Sequence, residues 1–260
     1  MNFNIYLRRI LHDKVKIAMI IFLIILPLAD IGVIAYGELQ SAEVVFPDGR
    51  FASFNALCSI GTDHFLNRIY IWFLPLYLLI ISGEDSLEDY DTGYKNILVT
   101  CSGKKNYVKK KAAYSFMVSA IIVFISLIIN YIAVIIIFRP GGYVSWTMED
   151  VEPGYVIYYA TLYPVISNII NILLISLFAG MIGMIGNLMA VAIHNRKIVY
   201  GITFLIWFIF DGMPYGFSEV LHPFSGAPVM KWFVALVILF AGYLFIASAL
   251  IYSEVNSDEV

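Results

Sequence analysis

The sequence predicts an all-α membrane protein with six transmembrane helices, a cytoplasmic amphipathic helix and a re-entrant outer hairpin before the last span. Three observations carry this expectation. The 260 residues are 61% hydrophobic and only 13% charged, whereas soluble domains run at about 45–50% apolar and about 25% charged. The mean hydropathy of +0.84 agrees. The apolar residues gather in runs that approach or exceed the roughly 20 residues needed to cross a bilayer. Finally, the basic residues concentrate on one side of those runs.

Taken in order, Ile17–Tyr36 supplies the first span, interrupted by Pro27 and Asp30, and Phe65–Gly83 the second, with Arg68 near its outer end. Ala112–Phe138 is the third. Val156–Ile193 has no charged residue and is too long for one straight span but too short for two with a turn. It reads as an interfacial approach over Val156–Pro164 and a fourth span over 165–193. His194–Lys197 makes a minimal turn, and the apolar run Ile198–Phe210 opens a fifth span over 198–213. Pro214, Gly216, Pro223, Gly226 and Pro228 break any continuous helix over 214–230, and Trp232–Tyr252 is the sixth span. The whole of 1–260 reads as a single transmembrane domain, with no internal repeat.

With both termini inside, Arg8, Arg9, Lys14, Lys16, Lys95, Lys104, Lys105, Lys109, Lys110, Lys111, Arg196 and Lys197 are cytoplasmic, and only Arg50, Arg68, Arg139 and Lys231 lie outside. Splitting Val156–Ile193 into two spans would move Arg196 and Lys197 outward and weaken that asymmetry. The basic residues form short juxtamembrane groups, so nucleic-acid binding is not expected. Cys58 and Cys101 fall on opposite sides of the membrane and cannot pair within the chain. The first apolar run is too long for a signal h-region and no small-residue cleavage site follows it.

The segment between spans two and three, Gly83–Lys111, carries the strongest functional signal. It opens acidic (Glu84, Asp85, Glu88, Asp89, Asp91) and closes basic. Leu87, Tyr90, Tyr94, Ile97 and Leu98 recur at three-to-four-residue spacing, which puts them on one face of an amphipathic helix. Acidic residues at its start suit the helix dipole, and Ser102 and Gly103 break it. The lysines alone are explained by topology. The apolar stripe requires a surface to pack on, because an isolated helix of two or three turns is marginal in water.

This segment resembles the ABC type-2 transporter permeases in Asp91, Gly93, Ile97, Leu98, Ser102, Lys104, Tyr107 and Lys111. The wider resemblance takes in the N-terminal amphipathic stretch Phe3–Lys14, the six spans and the breaker-rich hairpin before the last one. Cys101 stands where such permeases often have a Pro, which leaves the shape of the turn open. The resemblance implies that the segment is a coupling helix docking on a separate ABC ATPase subunit through Leu87, Tyr90, Asp91, Gly93, Tyr94, Ile97 and Leu98. It also implies a second permease chain, homo- or heterodimeric, enclosing the transport path. ATP and Mg would be bound by the partner, since this chain has no G-x-x-x-x-G-K-[ST] loop and needs no cofactor of its own.

Asp30, Asp211, Glu219 and His222 are candidates for the transport path or gate. An intramembrane carboxylate is costly and therefore a functional candidate, although Asp30 and Asp211 lie toward the outer ends of their spans, where solvation or helix capping serves equally. Asn130, Asn168, Asn171 and Asn187 suit hydrogen bonds between helices. Gly180, Gly183 and Gly186 match the letters of a dinucleotide fingerprint but lie mid-span with no preceding strand, so close helix approach explains them better. The histidines His12, His64, His194 and His222 are scattered, so neither a metal site nor a catalytic residue is expected. The expected function is the permease subunit of an ATP-driven exporter in the bacterial cytoplasmic membrane. Its cargo would be an amphipathic peptide, as in bacteriocin export or self-immunity, or a lipid-like molecule. A polytopic intramembrane enzyme or a secondary transporter is the alternative.

Overall fold

The computed structural model describes residues 3–41, 65–137, 152–213, 216–222 and 225–256, which form helices joined by turns with no strand among them. Helix α1 (Phe3–His12) buries Tyr6 and Ile10, one turn apart, and leaves Arg8, Leu11 and His12 exposed. Asp13 then interrupts the helix and its carboxylate accepts the Val15 N–H at 2.8 Å. Helix α2 (Lys14–Ser41) contains Pro27 and runs beyond the expected end at Tyr36. Pro27 has no N–H to offer the Leu23 carbonyl. Ser126 fills the gap, its hydroxyl donating to Leu23 O at 2.6 Å, while Asn130 Nδ2 donates to Pro27 O at 2.8 Å. A buried hydroxyl on a neighbouring helix thus satisfies the carbonyl that the proline strands, and the Asn130 amide adds a second bond between the two helices.

Helix α3 (Phe65–Trp72) stops at Phe73. The chain resumes at an angle of 54° through α4 (Leu74–Leu78), a π-helical turn (Leu79–Gly83) and α5 (Glu84–Asp91). Pro75 in the first turn of α4 fixes where the new helix starts. Helices α6 (Tyr94–Ser102) and α7 (Lys104–Ile137) follow, α7 starting several residues before the expected Ala112 because nothing after Gly103 breaks it. The interfacial approach expected over Val156–Pro164 is helix α8 (Val156–Leu162), which bends at Tyr163 into α9 (Pro164–Ile193). His194, in the left-handed region at φ 55°, ends α9. Asn195 then caps α10 (Arg196–Asp211), its side chain accepting from Lys197 N and Ile198 N. The four-residue helix α11 (Phe217–Val220) and α12 (Val229–Asn256) complete the order.

Four stretches are long and apolar enough to cross a membrane: Lys14–Val33, Lys104–Ile137, Val165–Ile193 and Val229–Asn256. A fifth arises if the bent pair Phe65–Trp72 and Leu74–Asp91 is one span. Helix α10 has 16 residues, about 24 Å of rise against a hydrocarbon core of about 30 Å. Helix α9 is the axis of the bundle: 67% of its most apolar stretch is buried, against 22% for α12. Gly180 and Gly183 make that possible. A Cβ on Gly180 would lie 3.0 Å from the Phe116 carbonyl oxygen, and one on Gly183 would overlap Ser119, both on α7. Close helix approach is therefore the role of these glycines.

Helix α1 and the end of α12 lie at the same end of the bundle. Arg9 on α1 reaches Asp89 on α5, and Glu254 near the end of α12 reaches Lys95 on α6. We call this end the cap; it comprises α1, α5, α6, the start of α7 and the α9–α10 turn. At the far end Gly216 packs against the Asp211 and Phe210 carbonyls, folding the chain back along α10. Residues 42–64 and 138–151, with Cys58, Arg50 and Arg139, lie outside the described residues.

Candidate functional site

The single amphipathic helix expected across 85–99 is two helices. Gly93 adopts φ 70°, a left-handed conformation that glycine takes without strain. Its N–H bonds back to Tyr90 O at 2.9 Å while Thr92 N bonds to Glu88 O at 3.0 Å, terminating α5 in the manner of a left-handed C-cap. The expected break at Ser102–Gly103 is present: Gly103 has φ 76° and its N–H reaches Val99 O at 2.8 Å.

This break divides the expected docking stripe. Leu87 is buried against Leu79, Ala190 and Val199, and Leu98 against Tyr107, Val108, Ala112, Leu188 and Val191. Tyr94 flanks the second of these clusters, with the Arg9 guanidinium 5.2 Å from its ring centroid. Their partner surface is this chain's own α7, α9 and α10. Tyr90 is 48% exposed and its ring stacks on His194 at 3.6 Å between centroids, and Ile97 is 58% exposed. Asp91 and Gly93 are also exposed, with the Asp91 carboxylate 3.7 Å from Arg196 Nη2. An outward strip of Tyr90, Asp91, Gly93 and Ile97 remains, with Glu88, Asn96 and Cys101 around it.

Beneath the strip lies a charge cluster that helical periodicity does not reveal. Asp85 and Asp89, one turn apart on α5, are fully buried. Asp85 accepts from Lys16 of α2, itself only 2% exposed. Asp89 bridges two cations, Arg9 Nη1 of α1 at 2.7 Å and Lys111 Nζ of α7 at 2.8 Å. Burial alone would make each ion unfavourable, and mutual pairing is what holds it there. The Lys111 ammonium also sits 5.0 Å from the Tyr6 ring centroid, and that ring stacks on Tyr114 at 4.1 Å. Burial pulls the Arg9 pKa down, but its hydrogen bond to Asp89 and the nearby carboxylates more than offset this, so the guanidinium is held charged. Burial, then the Asp89 charge, push the Tyr6 phenol well above its ordinary range and keep it a donor.

Further bonds spread the attachment. Glu84 accepts from the Tyr200 hydroxyl at 2.9 Å and lies 3.4 Å from Arg196 Nε, both on α10. The Ser86 hydroxyl donates to Asn187 Oδ1, and Asn187 Nδ2 donates to Lys111 O at 3.2 Å, linking α5, α9 and α7. Lys95 Nζ donates to Val191 O at 3.2 Å and lies 3.0 Å from His194 Nε2 and 3.4 Å from Glu254 Oε1. Helices α5 and α6 are thus tied to α1, α2, α7, α9, α10 and α12. Lys16 had no signal beyond topology and Glu254 none at all, while the resemblance that took in Lys111 and the stretch holding Arg9 did not point to their pairing with Asp89. The one available clue was the i, i+4 pair Asp85 and Asp89 facing lysines that directly precede apolar runs.

The gate candidates are not part of the cap. Asp30 is buried on α2 and Asp211 is the last residue of α10, partly exposed. Glu219 lies on α11, with its side chain outside the described residues, and His222 lines a cavity beside α8. No group of three or more His, Cys, Asp or Glu residues fit to hold a metal occurs among the described residues.

No protein-family model matches the chain, and no solved structure matches it at a significant level. Over 262 residues, covering 100% of both chains, it is 28% identical to YybM, an uncharacterized protein of Bacillus subtilis (strain 168).

Proposed function

We propose that this chain is the membrane-spanning permease subunit of an ATP-driven exporter of the ABC type-2 class. The observation that supports the reading best is the construction of the cap. Its inner face is clamped by buried ions to helices from across the bundle, while its outer strip of Tyr90, Asp91, Gly93 and Ile97 is open to a partner. A push on that strip would move the long helices as one body, as a rocking transporter requires. The partner is an ABC ATPase subunit that binds ATP and Mg, and a second permease chain completes the path. Asp30, Asp211, Glu219 and His222 are gate candidates at the other end.

Six passes are the reading that fits α1 and the end of α12 both lying at the cap. An even number of crossings is needed, and the four long apolar helices, the bent α3–α5 pair and α10 together make six. The irregular 214–230 segment, a re-entrant hairpin, covers the depth that α10 does not reach. The cap gathers Arg8, Arg9, Lys14, Lys16, Lys104–Lys111, Arg196 and Lys197, so the positive-inside rule makes it cytoplasmic. Few charges and an aromatic interior suit an amphipathic peptide, as in bacteriocin export or self-immunity, or a lipid-like cargo.

Affinity purification of the tagged chain from its native membrane in mild detergent tests this reading. A second polypeptide with a Walker A loop should be retained, vanadate-sensitive ATPase activity should follow that polypeptide, and the chain alone should hydrolyse no ATP. Hydrolysis by the chain alone, or no ATPase retained, would overturn it.

A further inference from the structure

At the end opposite the cap, α8 is stitched to the segment before α12. Val156 N donates to Ala227 O and Ile157 N to Ser225 O, each at 3.0 Å, and Val229 N donates to Gly154 O at 2.9 Å. Trp232 Nε1 adds a bond to Val220 O at 3.2 Å. These bonds hold open a cavity of about 270 Å³ between α8, α9, the end of α11 and the start of α12. Its walls are pre-built, and its size is just below the roughly 300–1,000 Å³ of compact small-molecule sites, which suits a slender occupant.

The lining specifies the chemistry. No Asp, Glu, Lys or Arg lines it among the described residues. Ile166, Ile170, Leu174 and Val220 supply hydrocarbon, while Ser167 and Asn171, one turn apart on α9, and His222 across from them supply the polar atoms. Asn171 is only 3% exposed and its Nδ2 has no acceptor among the described residues. Tyr159, Tyr163 and Trp232 line the same cavity, and Tyr155 and Tyr158 stand next to it in the chain. Such a collection of amphipathic rings belongs at headgroup depth, where a glycerolipid carries its uncharged ester oxygens.

We propose that this cavity holds one acyl chain of a bilayer glycerolipid, with the ester carbonyl against Ser167, Asn171 and His222. An ester brings acceptors only, which suits the Asn171 amide N–H that has no acceptor among the described residues, whereas the uncharged lining offers no counter-charge to a peptide's termini. The site does not depend on the transport role, so each can fail without the other.

The test uses the full chain in nanodiscs of phosphatidylethanolamine and phosphatidylglycerol, doped with phosphatidylethanolamine carrying an acyl-chain diazirine. After irradiation, cross-linked peptides should concentrate on residues 159–174 and 220–232. Ile170→Trp plugs the cavity from a position that is 48% exposed, so the chain should still fold. It should lower that labelling about tenfold or more, because each methylene excluded is worth roughly fourfold in partitioning. Labelling at the lipid-facing Leu205 should stay unchanged, and Ile166→Trp should repeat the result. Asn171→Leu should reduce labelling less, by severalfold. Even labelling of all lipid-facing helices, or indifference to both Trp variants, would overturn the proposal. So would chain-to-chain cross-linking through a cysteine at Ile166, which would assign the cavity to a second copy.

Discussion

The two ends of the bundle are held together by different physics. At the cap, fully buried Lys16, Asp85, Asp89 and Lys111 pair across three elements, α2, α5 and α7. At the far end, aromatic rings interlock: Phe217 lies 4.3 Å from Trp207 and 5.2 Å from Phe178 between centroids, and Tyr243 lies 4.6 Å from Phe210. Charge pairing in a low-dielectric setting is directional and fails abruptly when one partner is lost. Ring packing is broader and tolerates imperfection, and at that end it leaves an open cavity. The cap is therefore sensitive to the loss of any one charged partner, and the far end more tolerant of change.

Asp89→Ala breaks this contrast most severely. It strands Arg9 and the fully buried Lys111 together, and losing one member of a buried ion cluster costs about 3–5 kcal/mol. Asp91→Ala removes only an exposed contact to Arg196, worth about 0–1 kcal/mol. Melting followed by size-exclusion chromatography should show a large drop for the first and almost none for the second. Equal melting points would mean that the charge cluster does not hold the cap.

A smaller effect sharpens the same point. Lys16→Met and Asp85→Leu should each destabilise strongly, whereas the double variant should recover most of the loss, since a buried pair replaced by apolar residues of similar volume is often near neutral. Additive losses would show that each residue acts through packing rather than through its partner.

Much of this architecture was legible in local sequence. The apolar runs located the long helices, the bend at Tyr163–Pro164 followed from the uncharged stretch being too long for one span, and His194–Lys197 and Ser102–Gly103 read as breaks. The split at Gly93 escaped because Tyr90 and Tyr94, four residues apart, keep helical spacing across it. Aspartate, threonine and glycine at 91–93 were the available signal. The charge cluster escaped for a different reason. Arg9 and Asp89 are 80 positions apart and Lys16 and Asp85 are 69, and no local periodicity encodes such pairings. Positive-inside bias already accounted for the lysines, so nothing in the pattern asked for a second role. Burial of Leu87 and Leu98 escaped likewise, since an amphipathic face does not say whether its partner is the same chain or another.

The central claim is that the cap's inner face belongs to this chain and its outer strip to an ATPase. The most direct measurement sets neighbouring residues against each other: Ile97→Asp on the exposed strip and Leu98→Asp in the buried cluster, each assayed for melting and for ATPase retained on purification. Ile97→Asp should melt within about 0.5 kcal/mol of the parent and lose the ATPase at least about tenfold, as expected for an interface residue worth more than about 1.4 kcal/mol. Leu98→Asp should destabilise the cap itself. Undiminished ATPase retention by Ile97→Asp, with Leu98→Asp folding normally, would contradict the account.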